Sequence, residues 1–221
     1  MNELSELFSE IKDGGKIVLE HGREYHVYSS DLSAQENAAI AIKNKKNIVI
    51  DGGGSALKIH GAFSAFAFTN CKNITVKNLT ADFEEEDGEE KTQSPAPAAL
   101  FENCENIALI GVRFRRFQGS GAVARGVKNV KYVKSECLLK AGDGKHCEGY
   151  FRFEDCRGTA KIEGCVVRAS GANGDFAGVR GEKKCNLEVK NCYVTENAGR
   201  GVYYAAGGKA KIEGNTFART G

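Results

Sequence analysis

Apolar and polar positions alternate along this chain in short segments that return at regular intervals. A five-residue unit places apolar residues at every second position, and its fifth residue is Gly or Asn in six of seven copies and Lys134 in the other. The copies are IVIDG (48–52), ITVKN (74–78), IALIG (107–111), VKYVK (130–134), AKIEG (160–164), LEVKN (187–191) and AKIEG (210–214). Strands of period 2 that recur every 23 to 33 residues predict a solenoid, in which each coil buries its inward face on the next.

Other apolar segments between these units supply a further strand per coil. Their candidate interior residues are Phe66, Phe68, Leu100, Phe101, Val123, Phe151, Phe153, Val179 and Val202. The units share one direction and one phase, whereas hairpins or a sandwich need two-residue turns between antiparallel partners. We therefore expect an all-β, single-stranded right-handed parallel β-helix of about seven coils.

The amino-terminal segment 1–15 is predicted to be an amphipathic capping helix. Its apolar residues Leu4, Leu7, Phe8 and Ile11 follow the helical spacing, and Gly14 and Gly15 end it. Such a helix covers the exposed strand edges of the first coil. We expect one β-helix domain over 1–221, with the charged segment 84–98 as an inserted surface loop. The last coil has no equivalent cap, so we expect that the native chain continues, that a second subunit covers the coil in a homo-oligomer, or that the coil frays.

Charge and cysteine content narrow the function classes. The 31 basic and 29 acidic residues leave a net charge of +2 without a basic run, which disfavours nucleic acid and anionic membranes as partners. No apolar stretch approaches the roughly 18 residues of a membrane span, and the opening segment is acidic, so we expect a cytoplasmic protein or a processed secreted or periplasmic one. The eight cysteines occupy repeat positions and are expected to be reduced core residues. Neither a metal nor a cofactor is expected, because the histidines lack ligand spacing.

Outward charges alternate in sign from coil to coil. One predicted row consists of Glu102, Arg125, Glu154 and Arg180. Neighbouring parallel strands lie about 4.8 Å apart, so such a row forms a ladder of ion pairs. The row is either a solvated face or a ligand surface.

Two segments resemble a known family. Segment 46–83, KNIVIDGGGSALKIHGAFSAFAFTNCKNITVKNLTADF, resembles pectate-lyase-like right-handed parallel β-helix proteins, and most closely the α-1,3-galactosidase family of glycoside hydrolases. Segment 152–181, RFEDCRGTAKIEGCVVRASGANGDFAGVRG, resembles that family's later pattern C-R-G...G-x-G-D-D-G-x-N-x-H-G. The resemblance implies a carbohydrate-active protein that acts on galactose-containing or related glycans, with an oligosaccharide or polysaccharide as its partner.

The resemblance also implies a catalytic pair. The family pattern has two adjacent aspartates and a third from the preceding coil; this chain keeps the second as Asp175, replaces the first by Gly174, and has Gly149 for the third, next to Glu148. Asp175 and Glu148 are therefore the candidate acid and base, 27 residues or one coil apart, with the family's acids only partly retained. An inverting glycosidase needs its two carboxyl groups roughly 6.5–9.5 Å apart.

Arg180, Arg125 and Tyr203 are the candidate substrate-binding residues. Arg180 stands where the family pattern has His, and Tyr203 is a candidate sugar-stacking ring, since adjacent strand residues such as Tyr204 point to opposite faces. Three alternatives stay open: a catalytically silent carbohydrate-binding β-helix, a truncated or engineered scaffold without activity, and a polysaccharide lyase.

Overall fold

The computed structural model describes residues 3–32, 37–84, 96–117, 119–139, 149–169, 177–195 and 199–219. Their strands, numbered in chain order, form three parallel sheets. Sheet A contains β1 (Lys16–Val18), β4 (Lys46–Asp51), β7 (Lys72–Lys77), β10 (Glu105–Ile110), β13 (Lys128–Val133), β16 (Arg157–Glu163), β19 (Asn186–Lys190) and β22 (Ala210–Glu213). Sheet B contains β2 (Glu24–Tyr28), β5 (Ala56–His60), β8 (Thr80–Glu84), β11 (Arg113–Phe117), β14 (Glu136–Leu139), β17 (Val166–Ala169), β20 (Tyr193–Thr195) and β23 (Thr216–Ala218). Sheet C contains β3 (Ala38–Lys43), β6 (Ser64–Thr69), β9 (Ala99–Glu102), β12 (Ala122–Arg125), β15 (Gly149–Glu154), β18 (Ala177–Lys183) and β21 (Arg200–Ala206).

Each coil contributes one strand to sheet A, then one to B and one to C, and every strand pairs with the strand three places along. Ile74 of β7, for example, lies opposite Ile48 of β4 and Ile107 of β10. The predicted parallel β-solenoid is therefore confirmed. The described strands number eight in sheets A and B, against about seven predicted coils. The difference arises at β1, where the segment paired with IVIDG is GKIVL (15–19), which lacks the Gly or Asn at the fifth position that identifies the repeat.

The core is a continuous stack of apolar side chains inside the three sheets. Phe68 and Phe101 stack in neighbouring coils, with ring centroids 5.5 Å apart and planes 10° apart. The prediction of an interior position was wrong for two residues. Leu100 and Val123 lie opposite Ala67 and Arg152 on the outer face of sheet C, because the inward positions of their strands are taken by Phe101 and its register partners.

Asparagine side chains pin the register at the corner between sheets C and A. The Nδ2 of Asn73, Asn106 and Asn129 donates to the Oδ1 of the preceding asparagine in the ladder, at 2.7, 2.8 and 3.1 Å, and the first acceptor is Asn47. All four have positive φ between 55° and 60°. Such left-handed backbone suits Asn, which explains why this residue recurs at the corner.

The predicted cap is present as helix α1 (Glu3–Ser9), which contacts β3 and is shorter than predicted. Leu4, Phe8 and Ile11 are buried, whereas Leu7 is 44% exposed, so three of the four stripe residues reach the core. A 3₁₀ helix follows β2 at Ser29–Asp31. No helix in the described part of the chain is long and apolar enough to cross a membrane.

The cysteines of the described residues are buried free thiols, as predicted: Cys71, Cys104, Cys137, Cys156, Cys165, Cys185 and Cys192. Burial raises the pKa of the Cys156 thiol to about 11 and that of Cys185 to about 12. These two thiols therefore stay protonated near neutral pH and act as small apolar residues. Cys147 lies outside the described residues.

Candidate functional site

A row of acidic and basic side chains follows the outer face of sheet C. Glu102, Arg125, Glu154 and Glu182 lie in register in β9, β12, β15 and β18. The prediction that Arg180 is the fourth member of this row was wrong. It lies two positions earlier in β18, opposite Arg152, because the pairing of β15 with β18 puts Glu182 beside Glu154.

Glu154 is the centre of this network. Its Oε2 accepts a hydrogen bond of 3.1 Å from Nε of Arg125, whose NH1 donates to Glu102 at 3.0 Å. Its Oε1 lies 2.6 Å from Nε of Arg152. These two atoms form a close ion pair, but the angles between the groups do not fit a hydrogen bond. The Glu154 side chain is only 8% exposed, compared with 33% for Glu102. The hydrogen bond that Arg125 donates to Glu154 raises the pKa of Arg125, opposed by partial desolvation.

A second group of side chains continues this network toward β21. NH2 of Arg180 donates to Glu182 at 2.8 Å, and NH2 of Arg152 lies 3.4 Å from the other oxygen of Glu182. The hydrogen bond from Arg180 lowers the pKa of Glu182. The guanidinium of Arg180 also lies over the ring of Tyr203, 5.0 Å from its centroid, and that of Arg200 lies at 5.2 Å. The ring of Tyr203 therefore makes cation–π contacts with both arginines.

The structure brings the three predicted binding residues onto one face. Arg125, Arg180 and Tyr203 all point outward from sheet C, while the neighbouring Tyr204 packs against the core and donates its hydroxyl to the carbonyl of Cys185 at 2.8 Å. The sequence interpretation missed that Arg152 and Glu182 connect them. The sequence could have revealed both residues, because Arg152 lies two positions before Glu154 and Glu182 two positions after Arg180, and residues two apart in a strand share a face.

Asp175 and Glu148, the candidate catalytic pair, both lie outside the described residues. The described strands next to them do pair: Gly149, which follows Glu148, is the register partner of Ala177, two residues after Asp175.

A second polar group lies on the outer face of sheet B, in the first four coils, and the sequence interpretation missed it. We call it the sheet B cluster; its members are Glu24, His26, Tyr28, Lys58, His60, Asp82, Glu84 and Arg116. The signal was the outward histidine in each of the strand segments EYHVY and ALKIH. Nothing in the sequence spacing shows that the two rings meet, since they are 34 residues apart.

Ion pairs hold the carboxylates of this cluster in place. Nε of Arg116 donates to Asp82 at 2.7 Å, and Nζ of Lys58 donates to the same carboxylate at 3.2 Å. Burial opposes the ionisation of Asp82, but these two cations outweigh it and lower its pKa. Lys58 also lies 3.4 Å from Glu24 and 3.6 Å from Glu84. Arg116 reaches this position through a β-bulge in β11, where its φ is 58°.

Within the described ranges, no group of three or more His, Cys, Asp and Glu side chains is arranged to bind a metal ion. In the sheet B cluster, the ammonium of Lys58 stands among the three carboxylates.

Comparison with known proteins gives a family and several relatives. The family model described as "Right handed beta helix region" matches residues 15–217, nearly the whole chain. An α-1,3-galactosidase B from Phocaeicola vulgatus is 30% identical over 94 residues, which cover 37% of this chain and 16% of that protein. An α-1,3-galactosidase B from Bacteroides thetaiotaomicron is 37% identical over 46 residues, or 21% of this chain and 8% of that protein. These matches confirm the resemblance inferred from the sequence, and the right-handed sense of the helix agrees with the prediction.

The matched segments span less than a fifth of the length of these relatives. Among solved structures, an endo-xylogalacturonan hydrolase from Aspergillus tubingensis aligns over 98% of this chain and 90% of its own, with 13% identity and a TM-score of 0.27.

Proposed function

Since the chain belongs to the right-handed β-helix family, we propose that it is a carbohydrate-active protein that binds an oligosaccharide or polysaccharide along the outer face of sheet C. The finer proposal is a glycoside hydrolase-like activity on galactose-containing or related glycans, with Asp175 and Glu148 as acid and base. The names of the α-1,3-galactosidase relatives support the choice of sugar.

The observation that carries this proposal is the interlocked row of arginines and glutamates on sheet C. Ion pairs hold Arg152 and Arg180 in defined positions on β15 and β18, the two strands that follow Glu148 and Asp175 in the sequence. Guanidinium and carboxylate groups held in this way offer both donors and acceptors to sugar hydroxyl groups without a further loss of side-chain entropy.

The proposed chemistry uses the 27-residue spacing of Glu148 and Asp175, which is about one coil. Neighbouring strands are about 4.8 Å apart, and an inverting pair needs roughly 6.5–9.5 Å between its carboxyl groups. One carboxyl group then protonates the leaving oxygen, and the other activates a water molecule on the opposite face of the sugar.

A catalytically silent carbohydrate-binding β-helix is the second candidate function. It is favoured by Gly174 and Gly149, which stand where the family pattern has aspartates. A polysaccharide lyase has less support. It needs unneutralised cations for a uronate, whereas Arg125, Arg152 and Arg180 each lie beside a glutamate.

Hydrolysis of aryl α-galactosides, together with glycan-array binding, tests these proposals. For the enzyme, we expect Asp175→Asn to lower kcat/KM by roughly 10²–10⁴-fold while glycan binding persists. Glu188→Gln is the matched control, since Glu188 lies on sheet A and not on the proposed binding face, and it should leave turnover unchanged. Binding without hydrolysis would favour the silent protein. Neither binding nor hydrolysis would reject both proposals and leave the inactive scaffold.

The expected homo-oligomer through the last coil stays a prediction. Within the described residues, β22 and β23 each pair on one side only, and Ile212 and Phe217 are 45% and 42% exposed. Covering these side chains with a second copy would bury them, so the mass in sedimentation should rise with protein concentration. Ile212→Ser should keep the protein monomeric. A constant monomer mass for the unmodified chain would contradict the prediction.

A further inference from the structure

The two histidines of the sheet B cluster meet edge to edge. Nδ1 of His26 lies 2.9 Å from Nε2 of His60, the ring planes differ by 16°, and the centroids are 5.2 Å apart. Rings stacked face to face are held about 3.5 Å apart by van der Waals contact, which excludes a 2.9 Å nitrogen contact between their faces. The two imidazoles therefore share one hydrogen bond in nearly the same plane.

A hydrogen bond between two neutral imidazoles needs one donor and one acceptor, so the tautomers of both rings are coupled. Glu84 decides which ring donates. Its Oε2 lies 3.6 Å from Nδ1 of His60, beyond hydrogen-bond distance but close enough for its charge to act on that nitrogen. A lone pair on Nδ1 would face this carboxylate unfavourably, so the proton of His60 belongs on Nδ1.

The position of the His26 proton follows. With Nδ1 of His60 protonated, Nε2 of His60 is an acceptor, and His26 must donate to it from Nδ1. The remaining nitrogen of His26, Nε2, then carries a free lone pair on the opposite edge of an exposed side chain. Tyr28 supports the arrangement by stacking on His60, with centroids 4.4 Å apart and planes 11° apart.

The charges around the pair select its ligand. The carboxylates of Glu24, Asp82 and Glu84 face the cations Lys58 and Arg116, which leaves a net charge of −1 when both imidazoles are neutral. An anionic ligand is therefore disfavoured. The ring of Tyr28, in a residue 45% exposed, adds apolar surface beside these acceptors. An aromatic face beside convergent polar groups suits a neutral, hydroxyl-rich molecule.

We propose that Glu84 and His60 form a relay that fixes the tautomer of His26 and presents its Nε2 as a hydrogen-bond acceptor for a hydroxyl group of a neutral sugar. The charge of Glu84 sets the proton on Nδ1 of His60, and the hydrogen bond between the rings passes this choice on to His26. The sugar hydroxyl donates its hydrogen to Nε2 and keeps its O–H bond, so no proton is transferred. This site lies on a different sheet from Arg125, Arg180 and Tyr203, the proposed binding residues. Only the choice of a sugar as the probe depends on the proposed function.

Imidazole tautomers measured by two-bond ¹H–¹⁵N NMR above neutral pH test the relay directly. In the unmodified protein, we expect both His26 and His60 to carry the proton on Nδ1. In Glu84→Gln, the amide can donate to Nδ1 of His60, so both tautomers should reverse. Glu136→Gln on the same sheet, whose carboxylate pairs with Arg113 instead, is the control and should leave both rings unchanged. Protonation of either ring on Nε2 in the unmodified protein would overturn the relay without the need for a variant.

Titration with galactose, followed at the ring resonances of the histidines and tyrosines, tests the ligand. We expect shifts at His26 and Tyr28, a loss of affinity of roughly tenfold in Tyr28→Leu, and weaker binding of galacturonate, which carries a negative charge. These results should persist in Asp175→Asn, so failure of the hydrolase proposal leaves them intact. Galactose shifts confined to Tyr203, or an equal affinity in Tyr28→Leu, would overturn the sugar site on sheet B while leaving the proposed function untouched.

Discussion

Removal of the negative charge of Glu154 should destabilise the protein far more than removal of that of Glu102, although both carboxylates accept from Arg125. The comparison is closely matched, because the two glutamates lie in the same row of sheet C and keep their shape in a change to Gln. They differ in burial, 8% against 33% side-chain exposure, and only Glu154 also contacts Arg152.

Burial sets the two magnitudes. Removing one partner of a fully buried ion pair costs about 3–5 kcal/mol because the remaining charge loses its compensation. Arg125 is 50% exposed and Arg152 keeps its contact with Glu182, so we expect about 2 kcal/mol for Glu154→Gln, below that range. An exposed pair contributes about 0.2–1 kcal/mol, so Glu102→Gln should cost about 0.5 kcal/mol.

Urea unfolding gives the free energies without adding ions, and the slope of the unfolding free energy with urea should be the same in all three proteins. Repeating the measurement at about 1 M salt, where the Debye length is about 3 Å, should remove the effect of Glu102→Gln and keep most of that of Glu154→Gln. Equal losses for the two variants, or losses that vanish together in salt, would refute the claim that burial makes Glu154 the centre of the network.

Three further predictions concern the fold. Asn106→Ala should lower the free energy of unfolding by about 1 kcal/mol more than Asn106→Gly, because both break the ladder but only Ala is strained by the left-handed backbone; equal midpoints in urea would contradict this. The hydrogen bonds from Lys77 and Asn78 lower the pKa of Asp51 to about 2, so the stability it adds, about 1–2 kcal/mol, is present above the unfolded pKa near 4 and is lost as the pH falls toward 2. Asp51→Asn should therefore differ from the unmodified protein at pH 7 and converge with it in acid, and a constant difference would argue against the pair. The hydroxyl of Tyr132 is fully buried with no hydrogen-bond partner among the described residues, so Tyr132→Phe should raise the thermal midpoint and stabilise by about 1 kcal/mol, whereas a loss would reveal a partner.

The sequence alone was enough to predict the solenoid and most of its interior. Side chains of a strand alternate between two faces, so apolar residues at every second position are sufficient to identify the inward face. Ile48, Ile74 and Ile107 show this, because they occupy the same position of the repeat and are stacked in neighbouring coils. The alternation fails where two adjacent positions are apolar: in Leu100 and Phe101 it does not tell which residue faces inward.

The contacts between coils were decided only by the tertiary structure. A shift of two residues between neighbouring strands keeps every side chain on its own face, so periodicity cannot tell whether Arg180 or Glu182 stands beside Glu154. The register depends on corner geometry and on the length of chain between strands, and these also bring His26 and His60 together across 34 residues. The sequence thus determined most of the outward positions, because side chains of a strand alternate between its faces, and the winding of the chain determined which of them meet.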